Sequence, residues 1–556
     1  MEPTDLTYDI CRCYLHDHAQ YVDPALITLV DGYRRSRNLA GLTSCSCHYD
    51  WAQHHVNDWR FLRQVEAFFK KNADFADSEK CRAASEATFF EAEEQCSRTN
   101  VHLNTYVCKP HLLDDGKRLW VKRMSRYISN VLGDFQLFLD DLPYLVRVTP
   151  GATSTRPRKH SLPQLKMRMK LFSTRRAVKY LDRVYHEFGF HSPRIKPVHK
   201  NRVELVPKNW KTDRTIACEP EGNLPLQLAF DSYAKRRLRR YGINLSDQSA
   251  NQSLAKHASI HDDYVTVDFK AASDTISYNT VSMVFPPEWL AYLTDVRSPG
   301  FRGAFGDGLY SKFSSMGNGS TFAIETLIFA AACYAVGSSK FLVYGDDVII
   351  EKEYYENYLS LTRFLGFTIN EDKSFSSGPF RESCGGDFFN GIDVTPVYIR
   401  SIDKRKASLC HLVNTIMSLA IPGGSLQALI EDLIISERLP YVPYQESTIS
   451  GVWIDPRKAS ALRILKMRGG IRRFKSYVAK CKKRTFVDSR GYYLWFLYKN
   501  SQVLFSQPWY TPNKSSSNHL ETSSAPIFDH TYVRKWVCWV KPAGGLADHL
   551  YWWPEL

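Results

Sequence analysis

The stretch FLVYGDDVII, from Phe341 to Ile350, decides how the rest of the chain is read. Four apolar or aromatic residues lead into Gly345-Asp346, and Asp347 is followed by three more apolar residues. Glycine accepts a positive φ without a Cβ clash, so the pattern predicts a β-hairpin turning at Gly345-Asp346. Two carboxylates then stand at the tip, between strands that read as buried. Adjacent carboxylates repel, so such a tip is either a solvated acidic turn or a place where a cation neutralises them. Mg²⁺ suits the second case, because it takes carboxylate oxygens and keeps positions open for phosphate and water. A bare Gly-Asp-Asp arises by chance in about one chain in ten of this length. The apolar strands on both sides make this one informative.

Working outward, two further segments offer matching chemistry. In YVTVDFKAASDTIS, Tyr264 to Ser277, the run Tyr264–Phe269 has strand character and Asp268 lies near its end. A strand-end carboxylate can face a hairpin tip on a neighbouring strand, and the set would then hold two cations for in-line phosphoryl transfer. Asp274 follows six positions later, past Ala271-Ala272-Ser273, and its plainer reading is a helix N-cap. In SSMGNGSTFAIETLIFAAACYAV, from Ser314, the small residues Gly317, Asn318, Gly319 and Ser320 predict a loop that lets a ligand approach the backbone. A hydrophobic helix is expected from about Thr321. Alone, this segment reads equally as a glycine-rich turn capping a buried helix.

The surroundings bound the class. A chain of 556 residues exceeds one compact core, so two to four domains or subdomains are expected. The 44% hydrophobic and 24% charged content is that of a globular protein, and the +15 formal charge fits a polyanionic partner or simple solubility. The 13 scattered cysteines lack the compact framework of a small secreted domain and read as reduced cytosolic thiols. No signal peptide is visible at the N-terminus. The longest apolar run, Phe322–Val336, is interrupted by Glu325 and is too short to span a bilayer. Residues 1–150 read as mainly helical, with amphipathic stretches at Trp59–Asn72 and Trp120–Asp141. Gly151–Lys166 reads as an exposed basic connection. Lys196–Arg400 reads as an α/β or α+β layer, followed by helix from Ser401 to about Ile435. Beyond lie a basic stretch, Arg463–Arg484, and a serine-rich loop, Ser515–Ser524. Cys11, Cys13, Cys45, Cys47 and His48 lie close in sequence, but their C-x-C spacing is not the common zinc pattern.

In order and spacing, these segments resemble the palm motifs of viral RNA-dependent RNA polymerases, and most closely the replicase β subunit of the single-stranded RNA bacteriophages, the leviviruses. The resemblance is carried by VPKNWKTDRTIACEPEGN from Val206, GINLSDQSANQSLA from Gly242, VDFKAASDTIS from Val267, SMGNGSTF from Ser315, YGDD from Tyr344 and FRESCGGDFFNGIDVTPVYI from Phe380. It spans roughly Arg202 to Arg400 and is weak on the flanks. It implies an α+β right-hand fold of fingers, palm and thumb, with an antiparallel palm sheet and additional helical regions. The implied division is 1–190 (helical, contributing to fingers), 191–262 (nucleotide entry), 263–400 (palm) and 401–556 (thumb and C-terminal region).

The resemblance also implies roles. Asp268, Asp346 and Asp347 would bind two Mg²⁺ ions, one activating the 3′-hydroxyl of the growing RNA and one stabilising the leaving pyrophosphate. Lys208, Lys211 and Arg214 would hold the incoming triphosphate. Lys373 would act as general acid toward pyrophosphate, given a pKa tuned downward. Reverse transcriptases place an aromatic residue five positions after the first palm aspartate; Ser273 stands there here, and with Asp274 it would admit and sense ribose. Where many viral polymerases carry an asparagine four residues after the threonine of the third motif, this chain has Glu325, and Asn318 is the candidate substitute. Arg472, Arg473, Lys475, Lys480, Lys482, Lys483 and Arg484 are expected to line an RNA path. Relatives of this kind work with host elongation factors Tu and Ts and a ribosomal RNA-binding protein, in the cytoplasm of the bacterial host. Two alternatives share the features: a reverse transcriptase, and a non-catalytic RNA-binding protein with a palm-like fold. Ser273 argues against the first. Clustered carboxylates, which weaken RNA binding, argue against the second.

Overall fold

A computed structural model describes residues 2–50, 54–149, 151–156, 166, 170–189, 191–192, 194–444, 446–454, 466–468, 471–480 and 531–538. The fold mixes helix and sheet. The N-terminal part is helical: α1 (Pro3–His18), α2 (Pro24–Arg35), α3 (Leu39–Leu42), α4 (Val56–Lys70), α5 (Ser78–Cys108), α6 (Asp115–Leu132) and α7 (Phe135–Leu145). The expected stretch Trp120–Asp141 is thus two helices. Gly133, at φ +71°, ends the first, and the Asp134 side chain caps the second by accepting from the Gln136 amide. The sequence pattern is amphipathic through the break, so periodicity alone missed it.

The middle of the chain carries β1 (Lys170–Ser173), α8 (Val178–Glu187), β2 (Arg194–Pro197), β3 (Lys200–Pro207), β4 (Asp213–Cys218), α9 (Asn223–Arg240), α10 (Ser249–His261), β5 (Tyr264–Val267), α11 (Tyr278–Val284), α12 (Pro287–Val296), β6 (Gly300–Gly303), β7 (Gly306–Leu309), α13 (Thr321–Val336), β8 (Phe341–Tyr344), β9 (Asp347–Glu351), α14 (Tyr355–Phe364), β10 (Phe380–Ser383), β11 (Gly386–Phe389) and β12 (Ile392–Asp393). Three sheets matter here: β5-β9-β8, β4-β3-β6-β7 and β10-β11-β12. The first is wholly antiparallel. Helix α13 packs against it and against α6, and is apolar around its whole circumference, so nearly every residue is buried. Gly337, at φ +109°, closes that helix, and its amide bonds the Tyr334 carbonyl.

A second core joins the N-terminal helices to residues 399–452. Leu6, Ile10, Phe61 and Phe68 pack with Leu409, Val413, Leu426 and Ile430 of α15 (Lys406–Ile416) and α16 (Ser425–Ser436). Gly424 has no side chain to cap α16, and Asp17 of α1 does so instead, accepting from the amides of Ser425 (2.6 Å) and Leu426 (2.9 Å).

Several expectations are corrected. Asp274 does not cap a helix: it ends a 3₁₀ turn, Ala272–Asp274, and Ser277 caps α11. The connection after Gly151 is not simply solvated, for Thr153 and Ser154 are buried and Arg156 pairs with Glu221 at 2.7 Å. Cys11, Cys13 and Cys45 share one apolar core, and no three of the N-terminal Cys and His residues form a metal-holding group among the described residues. Cys45 is buried with its thiol toward the Leu62 carbonyl, while His48 bonds the Tyr33 hydroxyl. In the basic stretch, Arg473 and Lys475 lie in a strand Ile471–Lys480 paired with Thr531–Cys538. The side chains of Arg472 and Lys480, the whole of Lys482, Lys483 and Arg484, and Ser515–Ser524 lie outside the described residues. Among the described residues, no helix is long and apolar enough to cross a membrane.

Candidate active site

Three strands bring the three aspartates to one end of a sheet. β8 and β9 pair from Phe341↔Ile350 to Tyr344↔Asp347, which leaves Gly345-Asp346 as a two-residue turn. Gly345 adopts φ +66°, and a Cβ there would stand 2.5 Å from the Phe322 ring. β5 runs antiparallel to β9 with Val267 opposite Val348. The pairing ends there, and Asp268 follows directly, near enough to Asp347 for its charge to act on it.

Fixed neighbours orient Asp268. Its Oδ2 accepts from Asn370 Nδ2 at 2.7 Å, its carbonyl accepts from the Asn370 amide at 2.9 Å, and the Lys373 ammonium stands 3.5 Å from Oδ2. All three carboxyls are pushed above the ordinary range. For Asp268 the cause is burial first, with Lys373 and Asn370 working against it. For Asp346 it is again burial, opposed by Lys373, Lys208 and Arg214. Asp347 is raised to about 7, by burial and then by Asp346 and Asp268. These are mutually repelling, partly desolvated oxygen donors, which is the donor set a hard divalent cation takes. In the arrangement seen, no three His, Cys, Asp or Glu side chains among the described residues close into a ligand cage. The aspartates share one field, with Lys373 beside them.

Lys373 departs from expectation. Burial pulls its pKa down, but the fields of Asp268, Glu382, Asp347 and Asp346 outweigh burial, and the net shift is upward. Lys208 and Arg214 lie on or next to the β3–β4 hairpin, within the field of Asp346. Burial, and then Arg214 and Lys373, lower Lys208, although part of its side chain remains exposed. Lys211 stands apart: it is exposed, and its ammonium lies 5.0 Å from the Trp210 ring centroid.

Glu325, on α13, is buried within the field of the aspartates. Burial, then Asp346 and Asp274, push its carboxyl well above the usual range, and a bond from Ser273 works the other way. Among the described residues its Oε1 has no hydrogen-bond partner. Asn318 turns its Oδ1 toward its own loop, accepting from the amide (2.9 Å) and hydroxyl (2.7 Å) of Ser320. Sequence reasoning did not single out Glu382 or Asn370. Glu382 sits in the quoted stretch FRESCGG, on β10, where Arg63 of α4 reaches it at 3.2 Å and Asp387 at 2.6 Å. An acidic residue beside a glycine-rich turn was the available signal.

Comparison with known proteins gives a consistent picture. The family model described as RNA replicase, beta-chain, matches residues 30–450. The RNA-directed RNA polymerase subunit beta of Enterobacteria phage SP is 37% identical over 67% of this chain and 62% of its own length. The protein of the same description from Escherichia virus Qbeta is 35% identical over 73% of this chain and 65% of its own. The matched region therefore spans slightly under two thirds of either relative. Among solved structures, an RNA-dependent RNA polymerase of BmCPV at its elongation state matches 58% of this chain and 33% of its own, at 10% identity and a TM-score of 0.38. That likeness is too slight to bear on the fold.

Proposed function

The chain belongs to the RNA replicase β-chain family, and from that premise we propose that it synthesises RNA on an RNA template by nucleotidyl transfer, replicating a phage genome. The observation that carries this reading is the pairing of β9 with both β5 and β8, which brings Asp268, at the end of β5, to the Gly345-Asp346 turn and Asp347. On this reading β5-β9-β8 is the palm sheet, the β3–β4 hairpin belongs to the fingers, and residues 401–556 form the thumb and C-terminal region.

Each residue has a physical task. Asp268, Asp346 and Asp347 would hold two Mg²⁺ ions, whose charge, when bound, activates the 3′-hydroxyl and stabilises the leaving pyrophosphate. Lys208 and Arg214 orient the triphosphate by charge-assisted hydrogen bonds, with Lys211 further out along the same hairpin. Lys373 donates a proton to the leaving group. Its raised pKa reflects uncompensated carboxylates, and neutralising them would bring it back toward a donor's range. Ser273 is small enough to admit a ribose, and Asp274 offers an oxygen to its 2′-hydroxyl. Arg473 and Lys475 belong to the RNA path. Association with host elongation factors Tu and Ts and a ribosomal RNA-binding protein, in the host cytoplasm, is part of the same proposal. Affinity capture from the bacterial host tests it.

Incorporation of ribonucleotides on an RNA template in Mg²⁺, set beside deoxyribonucleotides, tests the main reading. The expected result is template-dependent RNA and little DNA. Preferential use of deoxyribonucleotides would instead make the chain a reverse transcriptase. Template binding with no synthesis under any divalent cation would leave only the RNA-binding alternative.

A further inference from the structure

Lys312 is one of the least exposed charged residues in the described chain, with 1% of its side chain accessible. Its ammonium lies 2.9 Å from Asp274 Oδ1 and 3.4 Å from Glu93 Oε1 of α5. It also stands 4.2 Å from the Phe89 ring centroid and 5.2 Å from that of Tyr310, so aromatic faces fix its height. Both ends of the ion pair are tied to backbone. Lys312 bridges Ser277, the Phe313 amide bonds the Ile276 carbonyl at 2.7 Å, and Arg297 donates to the Lys312 carbonyl at 2.9 Å. Glu93 is itself held, its Oε2 accepting from the Ser311 amide at 2.6 Å.

A buried cation between two carboxylates is a poor way to stabilise a fold, because an apolar residue of similar volume usually does as well or better. What the arrangement does supply is direction. Asp274 Oδ1 has the Lys312 donor, and among the described residues Oδ2 has none. The turn that carries Asp274 packs on α13, the helix of Glu325, and Asp274 acts on both Glu325 and Lys208, which also lie in the field of the catalytic aspartates. We propose that Lys312 is a positioning residue for sugar selection: with Glu93 it fixes the Asp274 carboxylate so that Oδ2 meets the 2′-hydroxyl of the incoming nucleotide. This rests on the ribonucleotide polymerisation proposed above. Helix α5, far from the metal-binding aspartates in sequence, thereby helps to set substrate choice.

The test is single-nucleotide incorporation by the full chain, giving kcat and KM for an NTP, its 2′-deoxy form and its 2′-fluoro form. Fluorine cannot donate a hydrogen bond, so it isolates the contact to Oδ2. Lys312→Met is expected to lower the NTP-over-dNTP ratio of kcat/KM about ten-fold, the size of one lost hydrogen bond to a charged group. The loss should lie mainly in the KM for NTP. In an Asp274→Asn background the same change should move the ratio no further. Because Met leaves two carboxylates facing each other, Lys312→Met/Glu93→Gln is made alongside, with unfolding midpoints recorded. A folded variant that loses NTP, dNTP and 2′-fluoro activity in equal proportion would overturn the proposal, as would simple additivity with Asp274→Asn. If the unaltered chain incorporates no ribonucleotide, the polymerase reading fails instead, and the two failures are distinct.

Discussion

Replacing Gly317 with alanine adds one methyl group where the loop before α13 meets β4. Gly317 sits at φ +105°, and its Cβ would stand 2.4 Å from the Ala217 carbonyl oxygen and 2.9 Å from Ile216 Cγ2. An ordinary carbon–oxygen contact is about 3.3 Å, so loop and strand must part by roughly 0.9 Å. The shortest of these contacts is with backbone, which no side-chain rotation can relieve. The φ strain contributes about 1–3 kcal/mol. Loosening the Ala217 N–H bond to the Met316 carbonyl, now 2.8 Å, adds about 0.5–1.5 kcal/mol. The expected destabilisation is therefore about 2–4 kcal/mol. Activity should fall further, by about a hundred-fold, because a shift near 1 Å moves β4 and its Arg214 off the productive geometry. Gly306→Ala is the control: its φ is +101° but nothing among the described residues lies within 4 Å of a Cβ there, so it should lose stability through strain alone and keep its activity. Denaturant unfolding gives the first quantity and single-nucleotide incorporation the second. If Gly317→Ala matches the unaltered chain in both, or merely behaves like Gly306→Ala, the close approach of loop and strand is not what holds the site.

Three further outcomes are expected. Lys373→Met should lower kcat by about a hundred-fold or more with little change in nucleotide KM, as removal of a general acid does; an unchanged kcat in single-turnover measurements would exclude that role. Burial raises the Glu219 carboxyl above its ordinary 4.5, against donors from Asn201, Ser298 and Gln227. The folded chain therefore keeps a proton that the unfolded chain releases, and this residue's contribution to stability declines as pH rises above about 4.5 toward the raised value. Urea midpoints from pH 5 to 8 should fall less steeply in Glu219→Gln, and an equal slope would refute the sign. Neutralising Arg472, Arg473, Lys475 and Lys480 together should weaken RNA binding and flatten its dependence on salt; an identical salt slope would place the RNA elsewhere.

The hairpin was legible because its signal is local: a glycine at the turn and two charges between apolar runs. The partnership of Asp268 with Asp347 was legible only as a possibility, since register is a tertiary property that the strand pattern permits but does not specify. Residues whose role depends on distant packing left no such mark. Lys312 reads in sequence as one more basic residue, yet Glu93, more than two hundred positions away, helps to bury it. Asp17 capping α16 is equally invisible, because Gly424 leaves the cap vacant locally. Lys373 shows a different failure. Its position was readable, but the direction of its pKa depends on how many carboxylates surround it, and Glu382 had not been counted.

RNA synthesis as a function of Mg²⁺ concentration, in the unaltered chain and in Asp347→Asn, bears most directly on the shared-cation site. Asparagine keeps the shape of the side chain and removes one charge, so the fold is preserved and only the attraction for the ion is reduced. The expected result is saturable, Mg²⁺-dependent synthesis in the first protein and a loss of about a thousand-fold or more in the second, equivalent to roughly 4 kcal/mol of barrier. Equal synthesis by both proteins across the titration would contradict the assignment of Asp268, Asp346 and Asp347.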